Sequence, residues 1–118
     1  MRHQPRILFV CARNLWRSPT AEAMYRDDSR VEARSAGVSE AARRRLGAAD
    51  LDWADLVLVM EREHKRRIVE TFGHHDLPSI ESLEIPDDYQ YGDEELQALI
   101  RAGSEPLIER LLDEGEPS

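Results

Sequence analysis

A chain of 118 residues has the length of one domain, and folding buries roughly 60% or more of its unfolded surface, enough for a single core. With 41% hydrophobic and 34% charged residues it reads as globular, and no apolar run approaches a membrane span or a secretory leader, so a cytoplasmic protein with no membrane partner is expected. The net charge of −8 argues against a nucleic-acid partner, and one cysteine, Cys11, excludes an internal disulfide, two-cysteine redox chemistry and a cysteine-built zinc site.

Residues 6–10, RILFV, form a short continuous apolar run suited to a strand buried on both faces. A polar loop over 11–17 follows. Ser18 is expected to cap a helix with Pro19 in its first position, and Ala21, Met24 and Tyr25 keep helical spacing. VEARSAGV (31–38) reads as a strand running into a glycine turn, SEAARRRLGAA (39–49) as a helix and DLVLVM (55–60) as a buried strand. Trp53 reads as core packing at the entry to that strand. Residues 61–72 read as a helix stopped by Gly73, and LPSIESLEI (77–85) as a fourth strand. The tail carries a helical stripe from Leu96 to Leu112, with an interruption expected around Gly103 and Pro106 and fraying over the last five residues. Strands alternating with helices imply a single α/β domain over 1–118, with a four-stranded parallel sheet covered on both faces.

In such folds ligands sit beyond the carboxyl ends of the strands, which is where the loop 11–17 leaves the first strand. A loop of this length before a helix can turn successive backbone N–H groups inward, making a nest for phosphate-like anions. Residues Ala12, Arg13, Asn14, Leu15, Trp16, Arg17 and Ser18 would then hold the anion, with the Arg17 guanidinium as a planar fork for two of its oxygens. The same positive field stabilises a thiolate at Cys11, which under a bound phosphoryl group becomes the nucleophile of a phosphocysteine pathway. Ser18 can donate a hydrogen bond to the departing sulfur, and Asn14 suits a left-handed position in a tight loop. The alternative, a small buried structural cysteine, does not account for Arg and Ser at these offsets.

The leaving group needs a proton. The acidic turn in EIPDDYQYGDEEL (84–96) follows the fourth strand at the same sheet edge, so Asp87 or Asp88 is the expected acid, with Tyr89 and Tyr91 as aromatic walls. Arg43 to Arg45 read as a solvated helix face that can steer an acidic phosphopeptide. HHD at 74–76 reads as an exposed turn rather than a metal site, and His3 and His64 have no partner visible in the sequence.

These residues resemble the low-molecular-weight protein tyrosine phosphatases, and most closely a short bacterial subgroup of predicted phosphatases. VCARNLWRSPTAEA looks like that family's signature loop and first helix; RSAGV resembles its Ser-Ala-Gly segment, where Ser35 would brace Asn14. WADLVLVME looks like its third strand, and IPDDY like its Ile-Pro-Asp-Pro-Tyr, which puts Asp87 on the general acid and Asp88 on the proline. The resemblance implies a metal-independent phosphomonoesterase without cofactors. Its substrate would be a phosphorylated protein or a small phosphomonoester, with phosphate or vanadate as ligands. Arg13 departs from the family's glycine and Trp16 from its common second cysteine. The segment after Gly37 lacks the aromatic wall of many members. Arsenate reduction needs further cysteines, and phosphotransfer subunits of sugar transport lack the loop arginine. Two alternatives stay open. One is phosphoarginine hydrolysis, against which Leu15 stands where that branch has a threonine. The other is a non-catalytic phosphate- or phosphoprotein-binding module.

Overall fold

A computed structural model describes residues 4–73 and 76–114. Four strands, β1 (Arg6–Cys11), β2 (Glu32–Gly37), β3 (Leu56–Val59) and β4 (Ser79–Ser82), form one parallel sheet in the order β2-β1-β3-β4. Four helices cover it: α1 (Arg17–Tyr25), α2 (Ala48–Trp53), α3 (Arg62–Phe72) and α4 (Glu94–Glu114). The fold is the α/β class with a four-stranded parallel sheet that the sequence implies.

The alternation of side chains along β1 and β3 explains the two-faced core. Ile7, Phe9, Leu58 and Met60 point to the α1/α4 side and pack with Ala21, Tyr25, Leu96, Ile100 and Ile108. Phe9 stacks on Tyr25 with ring centroids 5.7 Å apart. Leu8, Val10, Val57 and Val59 point to the other side, where Leu51, Ile68 and Ile80 meet them. Beyond Arg6, both strands are therefore apolar.

From β1 the chain passes to β2 on one side, then crosses to β3 on the other. The carboxyl ends of β1 and β3 consequently diverge at a switch point in the winding, the place where such sheets accept ligands. Cys11 ends β1 there, and Glu61 follows β3.

Three local expectations change. The helix expected over 39–49 is absent from 39–47, which turn, and α2 begins at Ala48. The run AARRRL offers no apolar stripe, and its backbone instead pairs with Gly37, whose N–H donates to the Arg44 carbonyl (2.9 Å) and whose carbonyl accepts from Leu46 (2.9 Å). Trp53, by contrast, packs against the core at the entry to β3 as expected, from the end of α2 and under the Arg34 guanidinium at 4.2 Å. The tail helix is continuous: α4 runs through Gly103 and Pro106, because its buried stripe of Leu96, Ile100, Ser104 and Ile108 docks on the sheet while Pro106 faces out. The fourth strand is shorter than 77–85 and gives way before Glu84, which is left-handed at φ 55°. His3, His74, His75 and residues 115–118 lie outside the described residues; Asp76 is exposed.

Candidate active site

The loop 12–16 is fixed through its carbonyls. The Cys11 carbonyl accepts from Val38 N–H (3.1 Å), Ala12 from Ser39 N–H (2.9 Å), Arg13 from Arg43 N–H (3.0 Å), and Trp16 from Thr20 N–H (3.1 Å). Arg43 Nε donates to the Asn14 carbonyl at 3.0 Å. By contrast, the N–H groups of residues 12–16 donate to no protein acceptor among the described residues. With carbonyls tied outward, the amides are left for an anion, and the first-turn amides of α1 extend the set.

Asn14 supplies the sharp turn, at φ 56°. It is buried, and its Nδ2 donates both to Ser18 Oγ (2.9 Å) and to Ser35 Oγ (2.9 Å). Ser35 Oγ in turn donates to Glu22 Oε1 at 2.5 Å. Ser35 in β2 thus braces Asn14, with a carboxylate of α1 behind it. Gly37 lets β2 approach the loop closely, since a Cβ there would stand 2.6 Å from the Ala12 carbonyl oxygen and 2.7 Å from Ala42 Cβ.

Cys11 is buried, and its Sγ lies 3.0 Å from Ser18 Oγ. Ser18 also donates weakly to the Ala36 carbonyl (3.3 Å). A hydroxyl has one proton, so it can serve the carbonyl while a thiol donates to it, or turn to the sulfur when that is a thiolate. Ser18 does not cap α1. The helix starts two residues earlier, at Arg17 with Trp16 at the capping position, and Pro19 falls inside the first turn, where a missing N–H loses no helical bond.

Arg17 is 2% exposed. One Nη uses both protons, toward Glu61 Oε2 (2.6 Å) and the Ile85 carbonyl (2.7 Å). The edge formed by Nε and the other Nη makes no hydrogen bond among the described residues, and Asp87 Oδ1 stands 3.5 Å from Nε. The guanidinium is thus anchored from one side and presents a two-donor edge on the other. Glu61 is itself held: its N–H donates to His64 Nδ1 (3.2 Å), so that nitrogen carries no proton. Burial holds the His64 imidazole below its usual range, and the Arg17 charge adds to this.

Cys11, Ala12, Arg13, Leu15, Trp16, Arg17 and Asp87 line a small cavity of about 70 Å³. Asp87 is more than half exposed at its rim. Asp88 is exposed and does not line it; Tyr89 packs against the α1/α4 core, and Tyr91 borders a groove with Thr20 and Met24. The aromatic side chain at the cavity is Trp16. The sequence reading missed Glu61, His64, Glu22 and the backbone role of Arg43. Glu61 had a signal, because it follows a buried strand at the ligand edge of the sheet.

A pocket of free amides, a buried thiol and an arginine edge has the chemistry to hold a tetrahedral oxyanion against a sulfur nucleophile. Residues 6–46 match the family model described as low molecular weight phosphotyrosine protein phosphatase. Among solved structures, the YwlE arginine phosphatase from Geobacillus stearothermophilus is 29% identical over 97% of this chain and 99% of its own, with a TM-score of 0.67. The tyrosine phosphatase Wzb from Escherichia coli K30, in complex with phosphate, is 25% identical over 92% of this chain and 99% of its own, also with a TM-score of 0.67. YfkJ from Bacillus subtilis, at 23% identity, shares the fold over 98% of this chain and 99% of its own with a TM-score of 0.75. No curated protein sequence matches the chain. The resemblance to the low-molecular-weight protein tyrosine phosphatases thus rests on sequence through the phosphate loop and on fold over nearly the whole chain. It sets this chain beside a class of cysteine-based phosphatases that work without metal. Among the described residues no helix is long and apolar enough to cross a membrane.

Proposed function

We propose that the protein is a cytoplasmic protein-tyrosine phosphatase that works through a phosphocysteine intermediate at Cys11. The observation that carries this reading is the set of unengaged amides of residues 12–16 around a buried thiol, with the Arg17 edge and Asp87 on the same cavity. Cys11 attacks phosphorus as the thiolate, while the amides and the Nε–Nη edge of Arg17 hold the equatorial oxygens through the transition state. Asp87 gives its proton to the phenolic leaving oxygen. It then takes one from water, which cleaves the sulfur–phosphorus bond with Ser18 donating to the departing sulfur. Asp88, which lies away from the cavity, has no part in the transfer.

A second reading, phosphoarginine hydrolysis, is favoured by the 29% identity to an arginine phosphatase. Leu15 and the cation Arg13 on the cavity favour phosphotyrosine over a guanidinium-bearing substrate. The test is phosphate release from p-nitrophenyl phosphate, a phosphotyrosine peptide and a phosphoarginine peptide, with EDTA present. Turnover of the first two, lost in Cys11→Ser, supports the proposal. Turnover of phosphoarginine alone selects the second reading. Tight phosphate or vanadate binding without any turnover would turn the assignment to a binding module.

A further inference from the structure

One charged side chain at the cavity has no task in that mechanism beyond its backbone amide. Arg13 is exposed and lines the cavity with Cys11, Leu15, Trp16 and Asp87. Its backbone is fixed by the bond from Arg43 N–H to its carbonyl (3.0 Å). The neighbouring cations are all engaged: Arg17 with Glu61 and the Ile85 carbonyl, Arg43 with the Asn14 carbonyl, Arg44 with the Ser35 carbonyl and Asp50. The Arg13 guanidinium meets no acceptor among the described residues.

Resting on the phosphatase reading of this cavity, we infer that Arg13 is a specificity-determining residue that selects phosphotyrosine flanked by acidic residues. Its guanidinium receives the carboxylate of an Asp or Glu beside the phosphorylated residue while the phosphoryl group occupies the loop. Two features carry this. A guanidinium is a planar fork that matches a carboxylate, and an unpaired one beside a reacting centre is available to substrate. The protein as a whole carries −8 and would repel an acidic peptide, so selectivity for one needs a local cation, and the Asp87 side of the rim cannot provide it.

The experiment compares three phosphotyrosine peptides that differ only in having Asp/Glu, Asn/Gln or Lys flanks, using the full chain and Arg13→Gln. The readout is the ratio of kcat/KM between acidic and neutral flanks, which is insensitive to any general effect of the substitution on the loop. The wild type should prefer the acidic peptide by about fivefold, the upper range for an exposed charge pair, chiefly in KM and less at high salt. Arg13→Gln should bring the ratio near one, and Arg13→Lys should keep part of it. An acidic-to-neutral ratio near one in the wild type, or the same preference in Arg13→Gln, overturns the inference. Calorimetric binding of the same peptides to Cys11→Ala and Cys11→Ala/Arg13→Gln reads the selectivity without turnover. Loss of turnover by the wild type would therefore count against the phosphatase reading and not against Arg13.

Discussion

At the scale of single residues, the account turns on where protons and charges sit around Cys11. Asp87→Asn should lower kcat by roughly 10²–10⁴, the range of general acid catalysis, and the loss should shrink for a leaving group acidic enough to depart unprotonated. Steady-state rates on phenyl phosphates of graded acidity check this; a larger effect from Asp88→Asn would contradict it. Glu61 holds Arg17 at 2.6 Å, so Glu61→Gln should weaken inhibition by inorganic phosphate about tenfold, near 1.4 kcal/mol, measured as an inhibition constant. That Cys11, Arg17, Ser18 and Asp87 come together was legible in the sequence, because their spacing is short or they follow a strand at the same sheet edge. Glu61 and Arg43 were not, since their partners stand 44 and 29 residues away and only the sheet's winding brings them together. His64 has no partner visible in the sequence, and the fold supplies one in the Glu61 N–H that its ring accepts.

At the scale of elements, the phosphate loop takes its shape from β2 and the 37–46 turn pressing on its outer side. Gly37→Ala puts a methyl group against the Ala12 carbonyl and Ala42, and the loop must move to admit it. A loss of about 1–3 kcal/mol in stability, by urea titration, should accompany weaker phosphate binding. Unchanged phosphate affinity would show that the turn does not shape the loop. In α4, Pro106 faces solvent in a helix interior and removes one backbone bond, so Pro106→Ala should raise stability by up to about 3 kcal/mol. The strands β1 and β3 and the helix α3 were legible from continuous apolar runs and a one-sided stripe. The helix expected over 39–49 is absent from 39–47 because arginines with strong helical propensity are drawn instead to backbone carbonyls of the loop and of β2. The interruption expected at Pro106 failed for the opposite reason, since burial of the stripe on the sheet outweighs one lost hydrogen bond.

At the scale of the whole molecule, stability should fall with acid in two stages. Folding holds the His64 imidazole neutral and below its usual range, so its contribution is present above the ordinary value of 6.5 and is lost as pH falls toward the lower folded value. The hydrogen bonds of Arg30 hold Asp28 and Glu105 below the usual carboxylate range, so their contribution survives down to about pH 4 and is lost beneath it. Urea midpoints from neutral pH downward should show both steps, and His64→Gln should flatten the first alone. A mutant curve parallel to the wild type through that first step would contradict the assignment. The same His64 packs under the Arg17–Glu61 pair, so the acid response of the fold and of the site begin at one place.

The central claim, a phosphoryl group carried on Cys11, is tested most directly by quenching the enzyme in acid during turnover of p-nitrophenyl phosphate and measuring its intact mass and peptide map. Asp87→Asn is the variant of choice, since breakdown of the intermediate then lacks its base. The account requires the mass of one added phosphoryl group, located on the peptide containing Cys11 and absent from Cys11→Ala. Turnover that continues in Cys11→Ala, or label found on another residue, would contradict it.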